Sequence, residues 1–395
     1  LREDGDGTSS WQTVAAGVTS DAQQNTVAGT NAGDSFSGTD AENNTLFGYD
    51  AGTAITTGDD NTAFGKDALK STTSAEYNTA IGAEALKDGT GGMDNTAVGY
   101  QALKAATQDR NTAVGYKAFA ACTGSKNVGI GWNVAYAATS ASNNVGIGRE
   151  ALYSLGTGAN NVAIGSAALM SNVTSSNNTA IGYDALRTNT TGSNCIAVGK
   201  DALKNATTGS DNTAVGVSAL DAAVTGGTNV AVGNSALGAL TSGYGNTAIG
   251  YYSLKSLTTA PNTTMVGLGA GQNITTGGGN CAVGNIALNA CVTGTANTMV
   301  GTQAGRLITG SDNVGVGMDV LYDCTSGSKN VAIGAGGYGH TSGALANLTT
   351  GSDNVAIGYR AMRDTTTASY NSAVGSYALK LNTTGAYNTA VGYDA

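Results

Sequence analysis

Asn95-Thr-Ala-Val-Gly99, followed by Tyr100, Gln101, Ala102 and Leu103, is the stretch that decides the fold. The pentad returns, sometimes varied, from Asn44 to the end of the chain. Its closing glycines stand 17 residues apart almost throughout, as at Gly48, Gly65, Gly82 and Gly99, with a few steps of 16 and one of 24 between Gly334 and Gly358. A fixed short period is the signature of a solenoid, in which each unit buries its faces only against its neighbours. The composition agrees. Sixty glycines and 6% aromatic residues leave little bulky apolar mass, which suits a thin elongated domain better than a globule of 395 residues.

Within the pentad, β-branched or large apolar residues flank a small one. Val98 and its equivalents precede the glycine, Ala97 and its equivalents precede them, and Thr, Val or Ile comes one earlier. Period-two alternation of this kind predicts a short strand with large groups on one face and small ones on the other. The closing Gly99 predicts a corner with positive φ or a close backbone approach. Ala102 and Leu103 continue the buried pattern, as do Val215 and Leu220 in a later copy. Where the Leu103 position becomes Gly52, Gly271 or Gly305, an Ile follows three residues later, so the two columns are expected to share interior space. The rest of each unit is Thr, Gly, Ser, Asn and Asp, the residues of turns.

Stacked in register, identical residues lie about 4.8 Å apart and 21 pentads extend to roughly 100 Å. The pentad asparagines would then form a ladder of hydrogen-bonded amides. Residues 1–43 carry no clean copy and are expected to form an N-terminal cap or attachment neck, with Asn25-Thr-Val-Ala-Gly29 as a degraded first pentad. Residues 44–395 are the repeat shaft, with an insertion at about 336–346 that holds the only histidine. The chain starts without Met and stops inside a repeat, which we read as a section of something longer.

The Asn-Thr-Ala-Val-Gly-x-x-Ala-Leu motif resembles the repeat shafts of bacteriophage tail fibres. It is also similar to the head repeats of trimeric autotransporter adhesins, where a Ser-Val-Ala-Ile-Gly-like pentad recurs. The resemblance covers residues 44–395. It implies an all-β, parallel β-solenoid or β-roll of about 21 coils, left-handed and homotrimeric, with Val98 and its equivalents facing the trimer axis and Ala97 the roll interior. It further implies a virion or extracellular location and attachment to a host surface. The repeats of the adhesin heads are shorter than 17 residues, so the cross-section is not carried over. A rival architecture is the monomeric hexapeptide-type left-handed β-helix, into which Val98 to Leu103 also fits, though the third side of each coil is then poorly filled.

Chemistry is sparse. A single histidine, His340, leaves no nucleophile–base pair, so no catalytic residues are assigned and an acyltransferase reading lacks its base. Five cysteines without a CxxC spacing read as small buried thiols, and no metal site is assigned from them. Asp50, Asp67 and Glu84 recur two residues after the glycine, with Lys70 and Lys87 three residues further on. Neutralisation between these columns is the first expectation, and calcium on the carboxylates the second. Tyr100, Tyr116 and Trp132 share the column just after the glycine, suited either to stacking on sugar rings or to covering a seam between chains. Tyr338 and His340 in the insertion are candidate contacts for a host glycan or protein receptor.

A net charge of −9 without a basic stripe disfavours nucleic acid, and no apolar run is long enough for membrane insertion. The leading expectation is therefore a non-enzymatic structural and adhesive shaft without cofactor. A monomeric carbohydrate- or ice-binding solenoid is the alternative. Interruption of the Thr column by Val128, Val145, Val162 and Ile196 counts against ice.

Overall fold

A computed structural model of the chain describes residues 2–3, 9–10, 19–36, 40–334, 336–337 and 342–395. They form two compact units, Leu1–Asn178 and Thr179–Ala395. Both are all-β among the described residues, and both are parallel β-solenoids. The first holds nine parallel strands of three residues, from Thr26–Ala28 to Val162–Ile164, and the second thirteen, from Thr179–Ile181 to Thr389–Val391. Within each unit consecutive strands pair in register, so that Thr96, Ala97 and Val98 lie against Thr112, Ala113 and Val114.

Each coil has one strand, and two turns in place of a second. Ala102 N–H donates to Gly99 O at 3.3 Å and Ala106 N–H to Leu103 O at 3.0 Å. The first turn has positive φ at its third residue, Gln101, the sign that a type II turn requires. Leu103 is also left-handed, at φ 50°, as are the leucines of that column generally. A leucine seldom adopts this conformation, and its cost is offset by full burial of the side chain. Backbone hydrogen bonds between coils continue around the turns. Gln101 N–H reaches back to Ala83 O, and Leu103 N–H reaches forward to Ala118 O. One strand per coil is not the three-sided hexapeptide helix of the rival reading.

Gly99 meets both expectations for its corner. Its φ is 133°, and a methyl group there would stand 2.5 Å from the carbonyl oxygen of Gly115 in the next coil. The asparagine ladder is present in both units. Asn127 Oδ1 accepts the backbone N–H of Asn144 at 3.0 Å and its Nδ2 at 3.2 Å, while Asn127 Nδ2 donates to Ala141 O at 2.8 Å. These amides are buried, and backbone is among their partners, so the ladder joins side chains to main chain as well as to each other.

The strand's alternation is resolved unambiguously. Ala97, Ala102, Leu103 and Leu220 are fully buried inside the coil. Val98 and Val215, expected in the repeat core, lie on the outside of the single chain, Val98 half-buried and Val215 37% exposed. The interior is narrow, so the small residue of each strand turns inward and the larger pair turns outward.

Interior volume is balanced among three columns, of which the sequence pattern disclosed two. Where Gly52, Gly271 and Gly305 replace the leucine, Ile55, Ile274 and Ile308 are buried as expected. The inward strand residue also changes, to Leu46, Met265 and Met299 in place of alanine. A methyl group on Gly305 would stand 2.9 Å from Met299 Sδ, and one on Gly52 2.7 Å from Leu46 Cδ1.

Two boundaries move. Thr26–Ala28 pairs in parallel register with Thr45–Phe47, so the solenoid begins with the Asn25 pentad and not at residue 44. Ahead of it, Thr19–Ser20 pairs antiparallel with Thr26 and Val27, and Arg2–Glu3 pairs antiparallel with Ser9–Ser10. The insertion is also narrower than 336–346. Ala344 and Leu345 are fully buried, Leu345 has φ 51°, and its N–H bonds to Ala361 O, so these residues fill the Ala102 and Leu103 positions of their coil. The extra residues fall between Gly334 and Ser342, and strand register is kept across them.

The three-column balance predicts a compensated exchange. Met299→Ala alone should destabilise by about 2–4 kcal/mol through the cavity it leaves. Combining it with Gly305→Leu and Ile308→Ala recreates the common coil and should recover most of that loss, as read by denaturant unfolding.

Candidate functional site

The most continuous surface feature in each unit is the outer face of its sheet. In the first unit Phe64, Ile81, Val114, Ile130 and Ile164 are 36–56% exposed, and each lies in register on the column of Val98. In the second unit Ile181, Val215, Ile249, Val283 and Val300 hold the equivalent position of their coils at 37–42%. Phe47 and Phe64 stack at 5.3 Å within it. Parallel sheets are ordinarily covered on both faces, yet this face is covered only from the inside.

Beside it runs the column just after the closing glycine. Tyr100, Tyr116 and Trp132 are brought together in three successive coils, with centroids 5.4 and 6.2 Å apart and planes within 23° and 11°. Their faces are turned to one another, so the sides of the rings, not the faces, meet solvent in the middle of the row. Lys117 Nζ lies 5.3 Å from the Tyr116 centroid and 5.7 Å from that of Tyr136, which stacks on Tyr153. In the second unit Lys200, Val217 and Asn234 separate Tyr183 from Tyr251, Leu268 follows Tyr251, and no row of three forms. Tyr338 and His340, the candidate receptor contacts of the insertion, lie outside the described residues.

The acid and base columns interleave as expected. Lys70 Nζ bonds Asp50 at 2.8 Å and Asp67 at 3.0 Å, Lys87 reaches Asp67 and Glu84, and Lys104 reaches Glu84 and Asp88. A second group joins Arg187 and Lys204 to Asp184 and Asp201. The hydrogen bond from Lys70, then that from Asn31, holds the Asp50 carboxyl below its usual range. The Gln101 amide does so for Glu84. Burial acts to raise Asp67 but is outweighed by Lys70 and Lys87, and the net direction is down. Lys70 is in turn raised by its bonds to Asp50 and Asp67. Asp211, Asp312 and Asp353 are all left-handed loop residues, and the preceding serines cap the neighbouring coil, as when Ser193 N–H donates to Ser210 Oγ. Among the described residues no group of three or more His, Cys, Asp or Glu is placed to hold a metal.

Cys122, Cys291 and Cys324 are buried free thiols, and burial pushes them up to about 11, about 11 and about 12. Cys195 stands just before the strand Ile196–Val198. It replaces a ladder asparagine, with its Sγ 3.3 Å from Gly209 O. A threonine row eight residues after the glycine escaped the sequence reading. In it Thr241 Oγ1 donates to Thr258 O at 3.1 Å and Thr258 Oγ1 to Thr275 O at 3.1 Å. Its signal was the plain recurrence of Thr in loops, hidden by the general abundance of that residue.

No protein-family profile matches the chain, and no curated protein is significantly similar to it. No helix among the described residues is long and apolar enough to cross a membrane.

The charge columns set a pH dependence. Carboxyls lowered on folding contribute stability that is present above their unfolded values and lost as pH falls through the folded ones. A raised lysine contributes below its unfolded value and loses that contribution only as pH rises through the folded one. Thermal unfolding should therefore be level between about pH 5 and pH 8 and decline on both sides, the alkaline decline starting as the unfolded chain begins to ionise the thiols that burial holds neutral. Lys70→Met should lower the level region and make the acid decline shallower. An unchanged acid limb would show that these pairs do not contribute.

Proposed function

We propose that this chain is a length of structural and adhesive fibre shaft, three copies packed along the Val98 column, from a virion tail fibre or a cell-surface appendage. It acts by rigidity and by presenting the same surface many times, without catalysis. The observation that carries this reading is the uncovered Val and Ile column running in register along each unit. An apolar stripe that long on a soluble chain calls for a covering partner. A second copy of the same chain fits best, because a stripe repeated at every coil matches a stripe repeated at the same interval. Three chains around one axis would cover all three stripes together. The likeness of the pentad to tail-fibre and adhesin repeats supports the same arrangement and location. Multiplied weak contacts along such a shaft would give attachment by avidity to glycans or proteins of a host surface.

Native mass measurement tests this directly, since a species at 38.8 kDa would end the trimer reading. Val98→Asp sharpens it. On an isolated chain Val98 is half-buried, and the change should cost no more than about 1 kcal/mol. In a trimer it brings three carboxylates together in an apolar seam and should cost several kcal/mol per chain, about enough to abolish assembly. Normal, heat-stable trimers from that variant would exclude the Val98 column as the contact.

A further inference from the structure

The aromatic row ends at Tyr100 in a different way from its other levels. Lys66, Ala83, Tyr100, Tyr116 and Trp132 occupy one column, level by level, as the backbone bonds from Glu84 to Lys66, Gln101 to Ala83, Lys117 to Tyr100 and Asn133 to Tyr116 fix. Tyr116 covers one face of Tyr100. The level against the other face carries only the methyl group of Ala83, while the level beyond it carries the exposed Lys66. Two coil intervals, about 9.6 Å, separate Lys66 from Tyr100, so the column lacks one ring-sized layer at Ala83.

We infer that this shelf binds a pyranose ring, stacked on Tyr100 at the level of Ala83. This supplies a ligand class for the adhesive part of the shaft reading and rests on that reading for its biological setting. A pyranose offers an apolar C–H face to the aromatic ring and hydroxyls around its rim. The shelf supplies both matches. Ile81, 42% exposed, adjoins on the apolar side. Glu84, whose carboxylate accepts the Gln101 amide at 2.9 Å, offers acceptors, and the Lys66 ammonium offers donors. A nucleobase would stack equally well but would bring phosphates to a chain of net charge −9. An apolar side chain would leave the polar rim unmatched. Tyr100 is already fixed from beneath by Tyr116 and Trp132, so little side-chain freedom remains to be lost on binding.

Cellohexaose, maltohexaose and chitohexaose, titrated into the full chain by NMR or calorimetry, test the inference. At least one should bind with Kd on the order of 1 mM. Tyr100→Ala should weaken it about ten-fold or more. Ala83→Tyr should do the same by occupying the layer, with thermal unfolding and native mass unchanged, because this column carries Tyr at other levels. The inference is overturned if none of the three sugars binds, or if binding survives Ala83→Tyr. It is also overturned if Ala83→Tyr alters the native mass, since the layer would then be part of a seam between chains. A monomeric mass with sugar binding intact would remove the trimer and leave the shelf.

Discussion

Everything in this structure depends on main-chain hydrogen bonding between consecutive coils held in exact residue register. That register places each side chain about 4.8 Å from its own counterpart above and below. Only side chains that tolerate a copy of themselves at that distance suit a column. Asparagine does, because its amide both donates and accepts, and the buried Asn127–Asn144 pair shows the pattern. Aromatic rings do by stacking. Like charges do not, and Asp50, Asp67 and Glu84 are tolerated in one column because Lys70, Lys87 and Lys104 stand in the column beside it.

The same register makes the interior narrow. With a carbonyl oxygen 2.5 Å from where a methyl group of Gly99 would lie, the corner has no room for adjustment. The interior is filled by alanine and one leucine per coil, and the leucine reaches its place only by adopting a left-handed backbone. Large residues enter the strand's inner position only where that leucine is absent, as at Met299 opposite Gly305. Phe119 fits because its neighbour Gly129 has no side chain, a methyl group there falling 2.5 Å from the ring.

Much of this was legible in the sequence, because a period of 17 fixes which residues stack before any conformation is known. The strand, the amide ladder, the Leu-to-Ile exchange and the paired charge columns all follow from column identity. What escaped depended on direction and backbone angle. Alternation alone does not say which strand face is the inside; the resemblance turns Ala97 to the roll interior and Val98 away from it, and in the single chain Ala97 is buried and Val98 lies outside. Nothing in Ala-Leu announces two successive turns in place of a second strand. The Asn25 pentad is legible as a degraded copy, but its step of 19 residues to the next sets it with the cap and not with the shaft. The insertion's buried Ala344 and Leu345 were masked by the glycines before them. The aromatic row was legible as a column, but its ring orientation was not.

Identity between coils carries a folding hazard that the irregular coils restrain. During folding, a coil could pair with the next but one and leave 17 residues looped out, and between two ordinary coils the resulting contacts would be almost native. Met299 counts against this locally. Its side chain needs the space left by both Gly305 in its own coil and Gly315 in the next, where methyl groups would stand 2.9 and 2.6 Å from its sulfur. Skipping the coil of Gly315 would set it against Ala332, and the sulfur would have to leave its native place to admit that methyl group. The odd coils thus serve as addresses along an otherwise uniform chain, telling each turn which neighbour is its own.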